Sequence, residues 1–225
     1  MLISDFINIH THFKPLALNE FVIRNAYLFP QKPTNTQCGF SYGIHPWFVS
    51  KYSWDQTEKT ILQILAEPGL QAVGEIGLDK LKPLWDKQIY FFEKQTLLAQ
   101  KFNKPVIVHC VKSFYELIPV IKKINTPFIL HGYEGNLLQT QALAKMEHVY
   151  FSFGPGQFRN PAKVKATLDF LSPHRIFLET DTHRMPVERV YREALKIVKI
   201  KEAAFRQQIQ QNYQQVFGIS SSYNQ

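Results

Sequence analysis

The sequence has no long hydrophobic run. No apolar stretch reaches the roughly 18 residues that a membrane span requires, so no membrane partner is expected. Cysteine is almost missing: Cys38 and Cys110 are the only two. That excludes a disulfide scaffold and fits a reducing cytoplasm. The start, "MLISDFINIHTHF", lacks a basic leader region and a small-residue cleavage site, so no signal peptide is expected. Low-complexity tracts and linkers are absent too, and a single domain over residues 1–225, working as a monomer, is the expectation. Acidic charge is the scarcer sign. Against 26 Lys and Arg stand 18 Asp and Glu, a formal net charge of +8. Such a balance is compatible with phosphate-rich substrates, and equally with a basic protein that never meets nucleic acid.

What is present is a supply of short apolar runs. Eight read as strands: 2–10, 20–29, 39–45, 70–78, 104–110, 127–132, 149–154 and 175–181. Several are continuous instead of alternating, the pattern of strands buried on both faces. Helical patterns fill 54–68, 85–103, 113–124, 136–146, 160–171, 186–199 and 201–217. From residue 70 onward strand and helix alternate, which implies a parallel sheet with helical crossovers. Eight such strands predict an α/β fold, a (β/α)8 barrel. The first two connections are too short for regular long helices, so the N-terminal part of the barrel is expected to be distorted.

The polar residues of these runs are not scattered. His10, His12, His45, His109 and His131 stand at or just beyond the C-terminal ends of predicted strands, with Glu75 inside "VGEIGL" and Asp181 closing "RIFLETD". In a barrel those ends converge on one mouth. Strand side chains alternate with period two, so Asn8, His10 and His12 are expected to share one face. His10 and His12 can hold one divalent cation and His109 and His131 a second, with Glu75 and Asp181 bridging or completing the set. A donor set of nitrogen and oxygen without thiolate suits zinc, manganese, magnesium or nickel. A carboxylate inside a strand, as Glu75 is, needs a charged partner or a metal. A lone strand-end histidine is ordinarily a structural hydrogen-bonding residue; the six together are what point to a metal site.

These residues resemble the TatD family of metal-dependent deoxyribonucleases, within the amidohydrolase-like barrels. The motifs are "NIHTH", "GIHPW", "VGEIGLDK", "PVIVHC", "ILHGYEGN", "SFG", "FLETD" and "NYQQVFG", running in order from residue 3 to about 218. The resemblance implies His10, His12, Glu75, His109, His131 and Asp181 as ligands of two divalent metal ions, and DNA as substrate. It implies hydrolysis by metal-activated water, with Asp181 positioning the water or taking its proton and Glu75 the next candidate for that role. There are departures. Asn8 stands where the family usually has Asp. Val111 and Lys112 stand where Arg is frequent, "HGYEG" replaces the usual loop and puts Glu134 near the mouth, and the segment from 13 to 40 is shorter. These bear on substrate choice.

Further residues are assigned around the ligands. Lys112, His45 and Asp79 are candidate substrate-binding residues, and Asn8 and Glu179 are expected behind the ligands, Glu179 orienting one of them. Lys80 reads equally as a substrate contact or a rim salt bridge. Trp47 and Phe48 are expected to seal the irregular front of the barrel, with base stacking as the alternative. His183 is a weaker candidate for substrate contact. Three functions remain open at this point: a nuclease acting on DNA ends, another metal hydrolase cleaving an ester or amide such as an aminoacyl-tRNA, and a non-enzymatic metal-binding protein.

Overall fold

Eight parallel strands, hydrogen-bonded in chain order, form the centre of the molecule. They are β1 (Phe6–Thr11), β2 (Glu20–Asn25), β3 (Cys38–Tyr42), β4 (Leu70–Asp79), β5 (Val106–Val111), β6 (Phe128–Leu130), β7 (Val149–Phe153) and β8 (Ile176–Leu178). The computed structural model describes residues 4–26 and 38–218. The expected strand segments 2–3 and 27–29 lie outside it. Seven α-helices are present among the described residues: α1 (Trp54–Leu65), α2 (Trp85–Lys101), α3 (Phe114–Ile121), α4 (Leu137–Ala144), α5 (Pro161–Phe170), α6 (Glu188–Leu195) and α7 (Glu202–Phe217). No helix among the described residues is long and apolar enough to cross a membrane.

Every residue of β1, β6, β7 and β8 is buried. The continuous apolar runs follow from that, since one face fills the barrel and the other meets helices. On α1 the buried Thr57, Ile61, Ile64 and Leu65 recur at helical spacing, so the helix covers the sheet with one stripe. Local chemistry starts other helices. Asn136 and Gln139 form a reciprocal capping box on α4, and Asn160 caps α5 ahead of Pro161. As the short connections predict, no helix separates β1 from β2.

The sheet closes into a distorted barrel at a seam between β1 and β8. A single bridge, Thr11 to Asp181, marks it. The amides of Thr180 and Asp181 donate to the His10 carbonyl at 3.3 and 3.0 Å, and His12 N–H donates to the Asp181 carbonyl at 3.1 Å. Deeper in the seam a side chain replaces the ladder. The buried Tyr191 hydroxyl of α6 accepts from Ile7 N–H at 3.2 Å and donates to Ile7 C=O at 3.1 Å. Asn212 of α7 donates to the carbonyls of Pro173 and Ile176, fixing the start of β8.

Candidate metal centre

Glu75 is the hub of the barrel mouth. Its Oε1 lies 2.7 Å from His131 Nε2, 2.9 Å from His109 Nδ1 and 3.1 Å from His45 Nε2. Its Oε2 lies 3.4 Å from His10 Nε2 and accepts from Asn25 Nδ2 at 3.0 Å. Asp181 Oδ1 stands 3.5 Å from His10 Nε2 and 3.4 Å from His12 Nε2. His131 Nε2 and His109 Nδ1 are 3.4 Å apart. The structure thus brings His10, His12, Glu75, His109, His131 and Asp181 into one cluster from β1, β4, β5 and the stretches that follow β1, β6 and β8.

Backbone features make the cluster possible. Gly77 follows Glu75 in β4 with φ +152°, and a Cβ there would lie 1.9 Å from the His109 carbonyl oxygen. Only glycine lets β4 approach β5 so closely. Asp181 adopts φ +48°, a left-handed conformation that Asp tolerates better than bulkier residues, just where its backbone bridges to β1.

The donor set fits divalent cations. Two ligands each about 2.0–2.1 Å from one ion, at tetrahedral angles, stand roughly 3.3–3.4 Å apart. The 3.4–3.5 Å separations of His10, His12, Asp181 and Glu75, and of His131 with His109, have that spacing. His10 is fully buried, and neither ring nitrogen makes a hydrogen bond. Buried orphans of this kind call for another partner. Among the described residues three trios converge: His10 with His131 and Asp181, His10 with His12 and Glu75, and His45 with Glu75 and His109. The third is disfavoured by tautomer. His45 Nδ1 accepts from Trp47 N–H at 3.1 Å, so the proton of the neutral ring sits on Nε2, which then donates to Glu75 and cannot ligate. Burial pushes the His45 pKa down, which keeps the ring neutral.

Electrostatics say the same. Burial would raise Glu75, but His131, His10 and His109 hold it well below its usual range. Burial would likewise raise Asp181, and His10 and His12 hold it low. Conversely, burial and His131 would lower His10, yet Asp181 and Glu75 carry it up to about 9. His131 is raised by Glu75 and Glu179 against the same burial. Two ionised carboxylates in a buried site demand positive charge. Protons on imidazole supply it here, and divalent ions can take their place.

The remaining candidates are distributed around this cluster. Glu179 is buried, accepts from Gly132 N–H at 2.9 Å and stands 3.3 Å from His131 Nδ1, the carboxylate–imidazole arrangement that orients a ligand. The hydrogen bonds of Asn8 run to Thr180 and, at 3.1 Å, to the buried Glu20. Lys112 is exposed just past β5, with φ +53°. Lys80 pairs with Glu116 at the rim. Glu134 lines a neighbouring cleft, where Gln157 reaches it. His183 is half-buried and does not line the cleft over the metal centre, which His12, Asn25, His45, Trp47, Phe48, Glu75, His109, His131, Asp181 and Thr182 do. The expectation that Trp47 seals the front fails: it is 50% exposed, because Asp79 holds its indole at the rim by a 2.7 Å hydrogen bond from Nε1. Asp79 itself is buried; its other oxygen accepts from Leu81 N–H.

Residues that the sequence reading missed support the site. Asn25 ends β2 against Glu75, a polar residue hidden inside what reads as one longer strand. Two buried glutamines of α2 grip loops. Gln95 bonds both the N–H and C=O of Ile44, and Gln88 bonds the N–H and C=O of Asp79 and the carbonyls of Lys82 and Pro83. They hold the stretches that carry His45, Trp47 and Asp79.

Residues 23–218 match the family described as TatD related DNase. A metal-dependent hydrolase of Haemophilus influenzae, described as uncharacterized, is 28% identical over 163 residues, covering 66% of this chain and 60% of that protein. The 3'-5' ssDNA/RNA exonuclease TatD of Erwinia tasmaniensis is 26% identical over 151 residues, covering 64% of this chain and 58% of the other. The matches thus span about three fifths of those relatives' lengths. The crystal structure of YjjV, a TatD homologue from Escherichia coli K12, superposes with a TM-score of 0.85 at 22% identity, covering 96% of this chain and 99% of that one. With its donors assembled on that fold, this chain belongs to the TatD-related DNase family.

Proposed function

We propose that this chain is a metal-dependent phosphodiesterase that hydrolyses nucleic acid, most concretely a deoxyribonuclease acting on DNA ends. The observation that carries the reading is the six-donor cluster, in which two carboxylates and four imidazoles meet at ligand spacing under an open cleft. The family to which the chain belongs, and the exonuclease named among its relatives, support the choice of nucleic acid. His10, His12, Glu75, His109, His131 and Asp181 would hold two divalent ions. Such ions supply Lewis acidity toward a phosphate oxygen and a water made nucleophilic at neutral pH.

The chain's own residues divide the remaining work. Asp181 has the carboxylate that reaches the cleft, with its side chain 33% exposed against 6% for Glu75. Asp181 therefore takes the proton of the attacking water, while Glu75, with both oxygens engaged, fixes the imidazoles. His45 keeps its Nε2 proton on Glu75 Oε1 and so holds that carboxylate in place beside the cleft. Lys112 stands at the rim, where a neighbouring phosphate would pass.

The test is hydrolysis by the metal-loaded protein of single-stranded DNA, bis(p-nitrophenyl) phosphate, a p-nitrophenyl ester and a p-nitroanilide, beside Asp181→Asn at matched metal content. Cleavage of the two phosphodiesters is expected, and a fall in the variant's rate of about 10² to 10⁴, the usual worth of one general base. Cleavage of the ester or anilide alone would overturn the substrate class. A variant that keeps its metal and its rate would remove Asp181 from the proton transfer.

A further inference from the structure

We propose that the rim of the cleft carries a nucleobase-stacking subsite built on Trp47, which selects an unpaired base next to the scissile phosphate. The inference rests on the phosphodiesterase reading and adds a recognition element to it. Exposure alone does not single out Trp47, since Leu18, Leu138 and Tyr115 are more exposed. What distinguishes Trp47 is that an exposed ring is held rigid. Its Nε1 donates to Asp79 Oδ2 at 2.7 Å, and Asp79 is only 2% exposed. Its backbone N–H donates to His45 Nδ1, and its ring meets those of His45 and His109 at 87° and 82°, with centroids 5.0 and 5.9 Å away. With these contacts made, half of the Trp47 surface is still exposed. The same buried Asp79 carboxylate accepts from Leu81 N–H and stands 3.7 Å from His109 Nε2, so the indole is tied to a group already fixed at the mouth. It is the arrangement expected of a preorganised platform.

One face already attracts a cation. Lys82 Nζ lies 4.6 Å above the ring centroid, and Lys82 is exposed. An exposed cation–π contact is worth roughly a two- to fivefold factor in equilibrium. Stacking of one base on an aromatic side chain is worth about five- to 150-fold. A base therefore displaces the ammonium, and Lys82, on its long flexible stem, is released toward the phosphates of the same strand. The platform is one ring away from the metal centre, because His45 bridges them: its Nε2 is 3.1 Å from Glu75 Oε1. Every base has a π face, so the subsite tolerates sequence but requires a base free of its own stack. The ligand is thus a single-stranded end, not a duplex.

The experiment uses two single-stranded DNA oligonucleotides of one sequence, one with its cleaved terminal nucleotide and the next replaced by abasic tetrahydrofuran residues. Cleavage by metal-loaded protein and equilibrium binding by fluorescence anisotropy are both measured. The parent is expected to favour the base-bearing oligonucleotide by about five- to 150-fold. Trp47→Ala should bring that ratio to near one, and Trp47→Phe, which keeps a ring without the Nε1 tether, should give an intermediate ratio. A ratio near one in the parent, or the same ratio in parent and Trp47→Ala, overturns the proposal. Failure of the phosphodiesterase reading looks different: neither oligonucleotide is cleaved. The anisotropy ratio still decides the stacking, because equal affinity for both oligonucleotides overturns it with or without cleavage.

Discussion

At position 8 the chain departs from its family, and the structure supplies the reason. Asn8 Nδ2 donates to Glu20 Oε1, and Glu20 is buried, also accepting from the amides of Leu16 and Val187. An aspartate at position 8 would have no proton to give and would set a second carboxylate against the first. The residue common in the family is thus expected to destabilise this member. Asn8→Asp should cost about 1–3 kcal/mol, because a hydrogen bond to a charged acceptor is lost and a like charge is set against it. In a chain of this size that lowers Tm by roughly 2–12 °C, read by calorimetry on the metal-free protein. Asn8→Asp combined with Glu20→Gln should recover most of the loss, since the amide can donate again. An unchanged Tm in the single variant would mean that Glu20 tolerates a like charge. In the sequence only the substitution was visible. Its partner was not, because Glu20 reads as the polar first residue of a strand.

At the scale of elements, the eight strands and seven helices were legible because burial writes itself into apolar periodicity. The ends were less so: β6 and β8 are each three residues long, since the functional residues after them leave the ladder to reach the mouth. What the pattern could not show is polar residues facing inward from a helix. Gln88 and Gln95 are fully buried on α2, yet a glutamine in a helix reads as solvent face. Gln95 satisfies loop backbone that no ladder reaches, and Gln88 serves the last residue of β4 and the loop after it. Gln95→Leu keeps the bulk of the side chain and leaves the N–H and C=O of buried Ile44 unpaired, at about 1–3 kcal/mol for each. We expect Ile44 and the His45–Trp47 turn to lose hydrogen-exchange protection while the barrel strands keep theirs. Gln95→Glu, which can still accept from Ile44 N–H, should lie between. Loss of protection spread evenly over the strands would mean that Gln95 supports the core and not the loop.

For the molecule as a whole, barrel closure and the candidate metal centre are one piece of structure. The seam between β1 and β8 is made by backbone bonds of His10, His12, Thr180 and Asp181, three of which supply proposed ligands. Below them the ladder gives way to the hydroxyl of Tyr191, which serves both backbone groups of Ile7. Tyr191→Phe removes one oxygen and leaves a donor and an acceptor buried, again about 1–3 kcal/mol each. Its consequence should extend to the mouth. A ligand that binds only the folded state adds about 2.7 kcal/mol of stability at a hundred times its Kd. If the seam positions His10 and His12 against Asp181, the variant holds its ions more weakly. The rise in Tm on adding a fixed excess of divalent metal should then be smaller in Tyr191→Phe than in the parent. An equal rise, on top of a lower metal-free Tm, would show that the seam holds the barrel together without setting the geometry of the ligands. The comparison separates the two because Tyr191 touches the backbone of Ile7, three residues before His10, and has no donor of its own in the cluster.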